Sequence, residues 1–108
     1  MALEISFAPA AARRLTEIAN WTTDTFGTEQ AHAYEDMLNE RITALAESRV
    51  HVRNLTAITG LNRHADYDTV IAGQHLLVFK RLTLRIDIID ILHRRRDLAA
   101  WSPQPDEA

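Results

Sequence analysis

The residues best suited to chemistry sit together near the end of the chain, as His93-Arg94-Arg95-Arg96-Asp97. Directly before them, Leu84-Arg85-Ile86-Asp87-Ile88-Ile89-Asp90-Ile91-Leu92 reads as one buried β-strand. A strand that ends in a histidine and three arginines delivers cationic donors from a rigid platform. That suits grasping a carboxylate-rich partner or a phosphate backbone. Arg63, Lys80 and Arg81 add positive charge to the same half of the chain. Metal-independent RNA cleavage needs a base for the 2′-hydroxyl, an acid for the leaving oxygen and cations for the charged transition state. His93 can serve as acid or base. Arg63 and one arginine of Arg94, Arg95 and Arg96 could hold the phosphate, and Tyr67 is the nearest candidate for a second titratable group. The plainer alternatives are a strand-end histidine bonded to a backbone carbonyl and a solvated arginine cluster, with Asp97 pairing one of its members. A docking site for an acidic partner is the third reading of the arginines.

Other chemistries lack their residues. Cysteine is absent, which excludes disulfides, thiolate catalysis and cysteine-based zinc sites. The five histidines (His32, His51, His64, His75 and His93) are spread out, none paired at i, i+4, so no metal site is expected. Gly27, Gly60 and Gly73 are isolated and form no phosphate-cradling loop. No Ser or Thr stands in a nucleophile-elbow context, and no cofactor is expected.

The elements that must position the strand end follow from periodicity. Leu3 to Phe7 alternates as a strand. Pro9 opens a helix that runs to about Phe26 with Leu15, Ile18, Thr22 and Phe26 on one side, and Gly27 stops it. Thr28 can cap a second helix through Ala31, Tyr34, Leu38, Ile42 and Leu45, ending near Ser48. The short connection makes the two helices an antiparallel hairpin. Residues 49–61 read as a loop with room for a short strand or a helical turn. Strands follow at Tyr67–Ile71, His75–Leu82 and Leu84–Leu92, with a turn at Ala72-Gly73-Gln74. The fold class is therefore α+β, in the order β-α-α-β-β-β, with the hairpin on one face of a small, mostly antiparallel sheet.

In the last strand, Leu84, Ile86, Ile88 and Leu92 are assigned to the helix-covered face. Arg85, Asp87, Ile89, Ile91 and His93 fall on the other, as do Leu77 and Phe79 of the preceding strand. That second face is too apolar to meet only water, so the segment around Trp101, a second copy or a partner must cover it. Trp21 is assigned to the core, whereas Trp101 has both a core and a contact reading.

At 108 residues and 46% hydrophobic, the chain is expected to form one domain over residues 1–101, with a frayed tail at 102–108 marked by Pro103 and Pro105. No apolar run suits a membrane span and no signal peptide is evident, so a cytoplasmic protein is expected. The net charge of −3 is uneven. Residues 1–48 carry three basic and eight acidic residues, and residues 49–97 carry nine basic and five acidic. One end of the fold can thus be cationic although the whole is not.

The element order, the helical hairpin and the ending Ile88-Ile89-Asp90-Ile91-Leu92-His93-Arg94-Arg95-Arg96-Asp97 resemble the RelE/ParE toxins of bacterial type II toxin–antitoxin systems. The resemblance covers about residues 3–101, with Arg63 and the Ala31–Leu45 helix as supporting pieces. It implies one of two activities. RelE-like members cleave messenger RNA on the ribosome; ParE-like members inhibit DNA gyrase without that catalytic set. Arg94 stands where cleaving members often have tyrosine, and Lys80 is the sole lysine. Both features point to the ParE-like branch, for which no catalytic residue is expected. Arg94, Arg95, Arg96 and Trp101 are then the target-binding candidates. The RelE-like alternative would use His93, Arg63 and Arg95 on ribosome-bound mRNA. A family member that only binds its partner and tunes transcription is a further alternative. Every branch implies a cognate antitoxin, for the ParE-like one a ribbon-helix-helix dimer with an acidic C-terminal segment. Leu77, Phe79, Ile89 and Ile91 are the candidate residues for meeting it.

Overall fold

The structure, a computed structural model, describes residues 2–104. Residues 105–108, most of the expected frayed tail, lie outside that range. Strand β1 (Glu4–Phe7) leads into helix α1 (Pro9–Phe26), which begins at proline as the missing N–H allows. Gly27, at φ 94°, breaks the helix, a backbone angle that few other residues adopt comfortably. Helix α2 (Thr28–Ala46) follows at once. Thr28 does not cap it, because Gly27 already holds the capping position and Thr28 is the first helical residue.

Residues 49–61 hold both a strand and a helical turn. These are β2 (Arg53–Asn54) and α3 (Leu55–Thr59), whose first turn is capped by the Asn54 side chain accepting from Thr56 N at 3.0 Å. A 3-10 turn at Asn62–His64 leads to β3 (Asp68–Ala72), β4 (His75–Arg81) and β5 (Arg85–His93), and a second 3-10 turn covers Leu98–Ala100. The sheet order is β1-β5-β4-β3-β2, antiparallel except where β1 runs parallel to β5. The sheet is therefore mixed, with one more strand than expected. Leu82–Leu84 closes the β4–β5 hairpin with no positive φ, which explains why no glycine marks it. Leu84 lies in this turn and is exposed rather than facing the helices.

A bulge in β5 decides which side chains share a face. Phe79 pairs with Ile88, but its neighbour Val78 pairs with Asp90, leaving Ile89 as the extra residue. Before the bulge, Ile86 and Ile88 face the helices. Beyond it the alternation inverts, so Ile91 joins the helix face and Leu92 the opposite one. Leu77 and Phe79 also pack against the helices. Strict two-residue alternation, applied through the bulge, had exchanged these assignments.

Two cores result. On the helix face, Leu38, Ile42 and Leu45 of α2 cover Val70, Leu77, Phe79, Ile86, Ile88 and Ile91. On the other, Leu55, Val78, Ile89, Leu92 and Trp101 pack together, with Tyr67 and Leu98 at their margin. The segment after β5 thus folds back over the second face, and the chain covers its own sheet. Trp101 is 1% exposed. Trp21 departs from expectation in the opposite direction, at 62% exposed, and Phe26 is 56% exposed. Both lie toward the C-terminal end of α1, in the half of the helix that lines a groove with His75 and His93. Among the described residues, no helix is long and apolar enough to cross a membrane.

Candidate functional site

His93 closes β5, and its register partner across the hairpin is His75, the first residue of β4. Their rings meet edge to face with centroids 5.4 Å apart. His75 Nδ1 lies 2.6 Å from the hydroxyl of Tyr34 on α2, and that hydroxyl accepts from Gln74 N at 3.0 Å. The β3–β4 turn lets Tyr34 come this close because Gly73 has no side chain. A Cβ there would lie 2.7 Å from Met37 Cε and 3.0 Å from the Tyr34 oxygen. Burial, and secondarily the neighbouring His93, push the His75 pKa down from 6.5, so the ring is neutral at neutral pH. Burial raises the Tyr34 pKa, partly opposed by its bond from Gln74, and keeps the phenol protonated.

The three arginines follow in a tight turn. Arg94 N donates to Gln74 O at 2.9 Å, Arg95 N to His93 Nδ1 at 3.1 Å and Arg96 N to His93 O at 3.0 Å. These bonds fix the backbone and leave the guanidinium groups outward. Arg94 makes only a long 3.5 Å contact to Gly73 O, and the side chains of Arg95 and Arg96 have no hydrogen-bond partner among the described residues. Asp97 pairs with none of them; its carboxylate caps the last 3-10 turn by accepting from Ala99 N at 3.2 Å. Beside this turn lies a groove of about 890 Å³ between the α1–α2 hairpin and the sheet end. Trp21, Phe26 and Met37 form its apolar side, and Tyr34, His75, His93 and Arg95 its polar side.

The other expected site residues are elsewhere. Arg63 holds the C-terminal segment, its Nη1 donating to Trp101 O at 2.6 Å and its Nη2 to Ala99 O. Buried His64 donates from Nε2 to the same Trp101 carbonyl at 2.9 Å. Tyr67 packs edge to face on Trp101 at 5.0 Å, and Lys80 stands over the Tyr67 ring at 5.2 Å. Tyr67 is therefore no partner for His93. Lys80 pairs with Asp87, six residues along β5 from His93 and about 20 Å away at strand spacing. The cations that RNA cleavage would gather are dispersed over both faces of the sheet. Trp101 has no surface to offer a target. Leu77, Phe79, Ile89 and Ile91 are 0%, 0%, 7% and 2% exposed, so the apolar surface expected of them is already occupied by the chain itself. Among the described residues, no three His, Asp or Glu side chains gather as metal ligands would.

Sequence reasoning missed Tyr34, His75 and the exposed Trp21–Phe26 pair, whose rings meet edge to face at 5.7 Å. It also missed Asp90, which is 2% exposed and accepts from Trp101 Nε1, Ile91 N and Arg14 Nε. One signal was available: an even hairpin places residues near 75 close to residues near 93, though the exact pairing depends on the bulge.

A strand and helical hairpin lead into a mixed five-stranded sheet, with an arginine-rich turn after the last strand. The family model described as "ParE toxin of type II toxin-antitoxin system, parDE" matches residues 5–98. The chain therefore belongs to the ParE toxin family of type II toxin–antitoxin systems. A solved structure described as "Chromosomal ParDE TA system from P. aeruginosa" is similar in fold, with a TM-score of 0.63 at 18% identity over 85% of this chain and 96% of that one. A comparison with curated proteins gave no match.

Proposed function

We propose that this ParE-family toxin acts by binding DNA gyrase through Arg94, Arg95 and Arg96, and that a cognate ParD-type antitoxin neutralises it. The observation that carries this reading is the arginine turn. Its backbone is pinned to Gln74 and His93, while the guanidinium groups of Arg95 and Arg96 have no partner among the described residues. Cations held ready at low ordering cost favour an acidic protein surface. The dispersal of Arg63 and Lys80 away from His93 supports binding over RNA cleavage. Trp101 is left out of the target surface because it is buried.

The test is DNA supercoiling by purified gyrase in the presence of the toxin. Inhibition relieved by the antitoxin, and lost on replacing all three arginines with Ala, is the expected result. Full supercoiling at micromolar folded toxin would overturn the gyrase assignment.

A further inference from the structure

The arginine turn is held from two sides, and the two differ in chemistry. On one side Arg94 N donates to Gln74 O at 2.9 Å, and Gln74 N donates to the Tyr34 hydroxyl at 3.0 Å. No group in that chain changes charge near neutral pH, since burial keeps the Tyr34 phenol protonated. On the other side Arg95 N donates to His93 Nδ1 at 3.1 Å and Arg96 N to His93 O at 3.0 Å. The bond to Nδ1 joins a side chain to the backbone two residues on. Asn and Asp fasten turns in this way. Here a histidine takes their place.

Histidine differs from Asn and Asp because it can lose its acceptor. An N–H donor needs a bare nitrogen opposite it, so His93 Nδ1 carries no proton, and the neutral ring has its proton on Nε2. Imidazolium carries N–H on both nitrogens and accepts at neither. A proton on His93 therefore removes the Arg95 bond and sets two N–H groups against each other. Histidine is the side chain for which such a change falls between about pH 5 and 8. Water reaches the His93 ring, which is exposed at the end of β5, whereas burial keeps its neighbour His75 neutral.

Charged and titratable groups surround the ring. His75 of β4 meets it edge to face at 5.4 Å, and Arg94, Arg95 and Arg96 follow it in the chain. Glu17 of α1 and Tyr34 of α2 line the groove that His93 and Arg95 share. Among the described residues, none of the carboxylates forms an ion pair with His93. A proton there adds like charge beside three arginines, which presses the turn further open.

We propose that His93 is a positioning residue, a proton-sensitive latch that orders Arg95 and Arg96 while Nδ1 is bare and frees them once it is protonated. Arg94, fastened through Gln74, keeps its place in both states. That the latch governs toxin strength rests on the reading of Arg94–Arg96 as the target surface; the latch itself does not.

The experiment is nitrogen-15 NMR of the toxin alone between about pH 8 and 5, with circular dichroism confirming the fold at each point. At the alkaline end the ring shifts should show His93 with Nδ1 bare. On acidification the Arg95 amide should lose its hydrogen-bonded shift and its rigidity with the same midpoint as the His93 ring, while the Arg94 amide holds. His93→Asn keeps an oxygen acceptor near the Nδ1 position and cannot titrate, so its Arg95 amide should stay ordered throughout. His93→Leu offers no acceptor and adds no charge, so its Arg95 amide should be loose throughout. A protonated Nδ1 at pH 8, an Arg95 amide indifferent to the His93 proton, or the wild-type response persisting in His93→Asn would each overturn the latch.

Gyrase supercoiling with the same two variants reads the positioning role. His93→Leu should need about three- to tenfold more toxin for half inhibition, the worth of one hydrogen bond, and His93→Asn should restore most of that loss. Equal inhibition by wild type and His93→Leu would overturn the positioning role. No inhibition by wild type would instead remove the gyrase reading, and the NMR result would still decide the latch.

Discussion

The indole Nε1 of Trp101 donates to Asp90 Oδ2 at 2.9 Å, with the carboxylate 2% and the indole 1% exposed. Asp90 occupies the bulged stretch of β5. Its other oxygen accepts from Ile91 N at 2.8 Å and from Arg14 Nε of α1 at 3.3 Å. One carboxylate thus ties the bulge, the first helix and the returning C-terminal segment together. A buried charge with three donors is tolerated, whereas one left without them is costly.

Asp90→Asn keeps the shape but turns one acceptor into an N–H₂ group that must face a donor. The expected loss is about 3 kcal/mol of stability, read from urea unfolding. Trp101→Phe should cost about 1–3 kcal/mol by removing one donor to the buried carboxylate. A stability change below the error of the melts for both variants would mean that the contact contributes nothing.

Arg63 is expected to act on the fold and not on a reaction. Arg63→Ala removes the clamp on the Trp101 and Ala99 carbonyls and should lower stability by about 1–3 kcal/mol. Arg63→Lys should recover only part of it, since one ammonium does not reproduce a two-armed fork. Toxicity measured where the variant is still folded should match wild type. Loss of toxicity in folded Arg63→Ala would place this residue at the target after all.

Gly73 is expected to be the least replaceable glycine. Its φ of 60° is unfavourable for a side chain, and an added Cβ would press on Met37 and Tyr34. Gly73→Ala should cost more than about 1 kcal/mol and loosen the Tyr34–His75 hydrogen bond. Gly60→Ala, also at positive φ but with open space around its Cβ position, should suffer the backbone strain alone. Equal melting of the two variants would refute the packing argument.

His75 makes stability depend on mild acid. Tyr34 from α2 and His93 from the end of β5 meet it directly, and Glu17 of α1 and Arg95 line the same groove. Its folded pKa lies below the unfolded value of 6.5. As pH falls through 6.5 the unfolded chain takes up a proton that the fold refuses, so stability declines towards the folded pKa and is unaffected above that window. His75→Gln should flatten the decline, as measured by urea melts at neutral and mildly acidic pH. Proton NMR of the His75 ring should show titration below 6.5, and a midpoint at or above that value would contradict the assignment.

Much of this molecule was legible in the chain. Pro9 and Gly27 bracket α1 through backbone chemistry that needs no neighbours. Helical spacing from Ala31 to Leu45 marks the face that α2 buries. The runs ending at Arg81 and His93 are strands because their apolar residues are too dense for anything exposed. The arginine turn is equally visible, since three charged residues in succession cannot enter a core. Each of these rests on local preference or on the composition of one segment.

What the sequence determined by itself was therefore the two long helices, four of the five strands, their order and the place where positive charge must emerge. Tertiary structure decided the rest at the bulge around Ile89. One extra residue inverted the alternation, sending Ile91 to the helices and Leu92 to the far side. The same shift set His75 opposite His93; an unbroken ladder from Arg81–Ile86 would have paired His75 with Leu92. It also decided that Trp101 returns to Asp90 while Trp21 stays in water. No local pattern distinguishes those tryptophans, because burial depends on which surfaces meet, and that is a property of the assembled sheet and helices rather than of any segment alone.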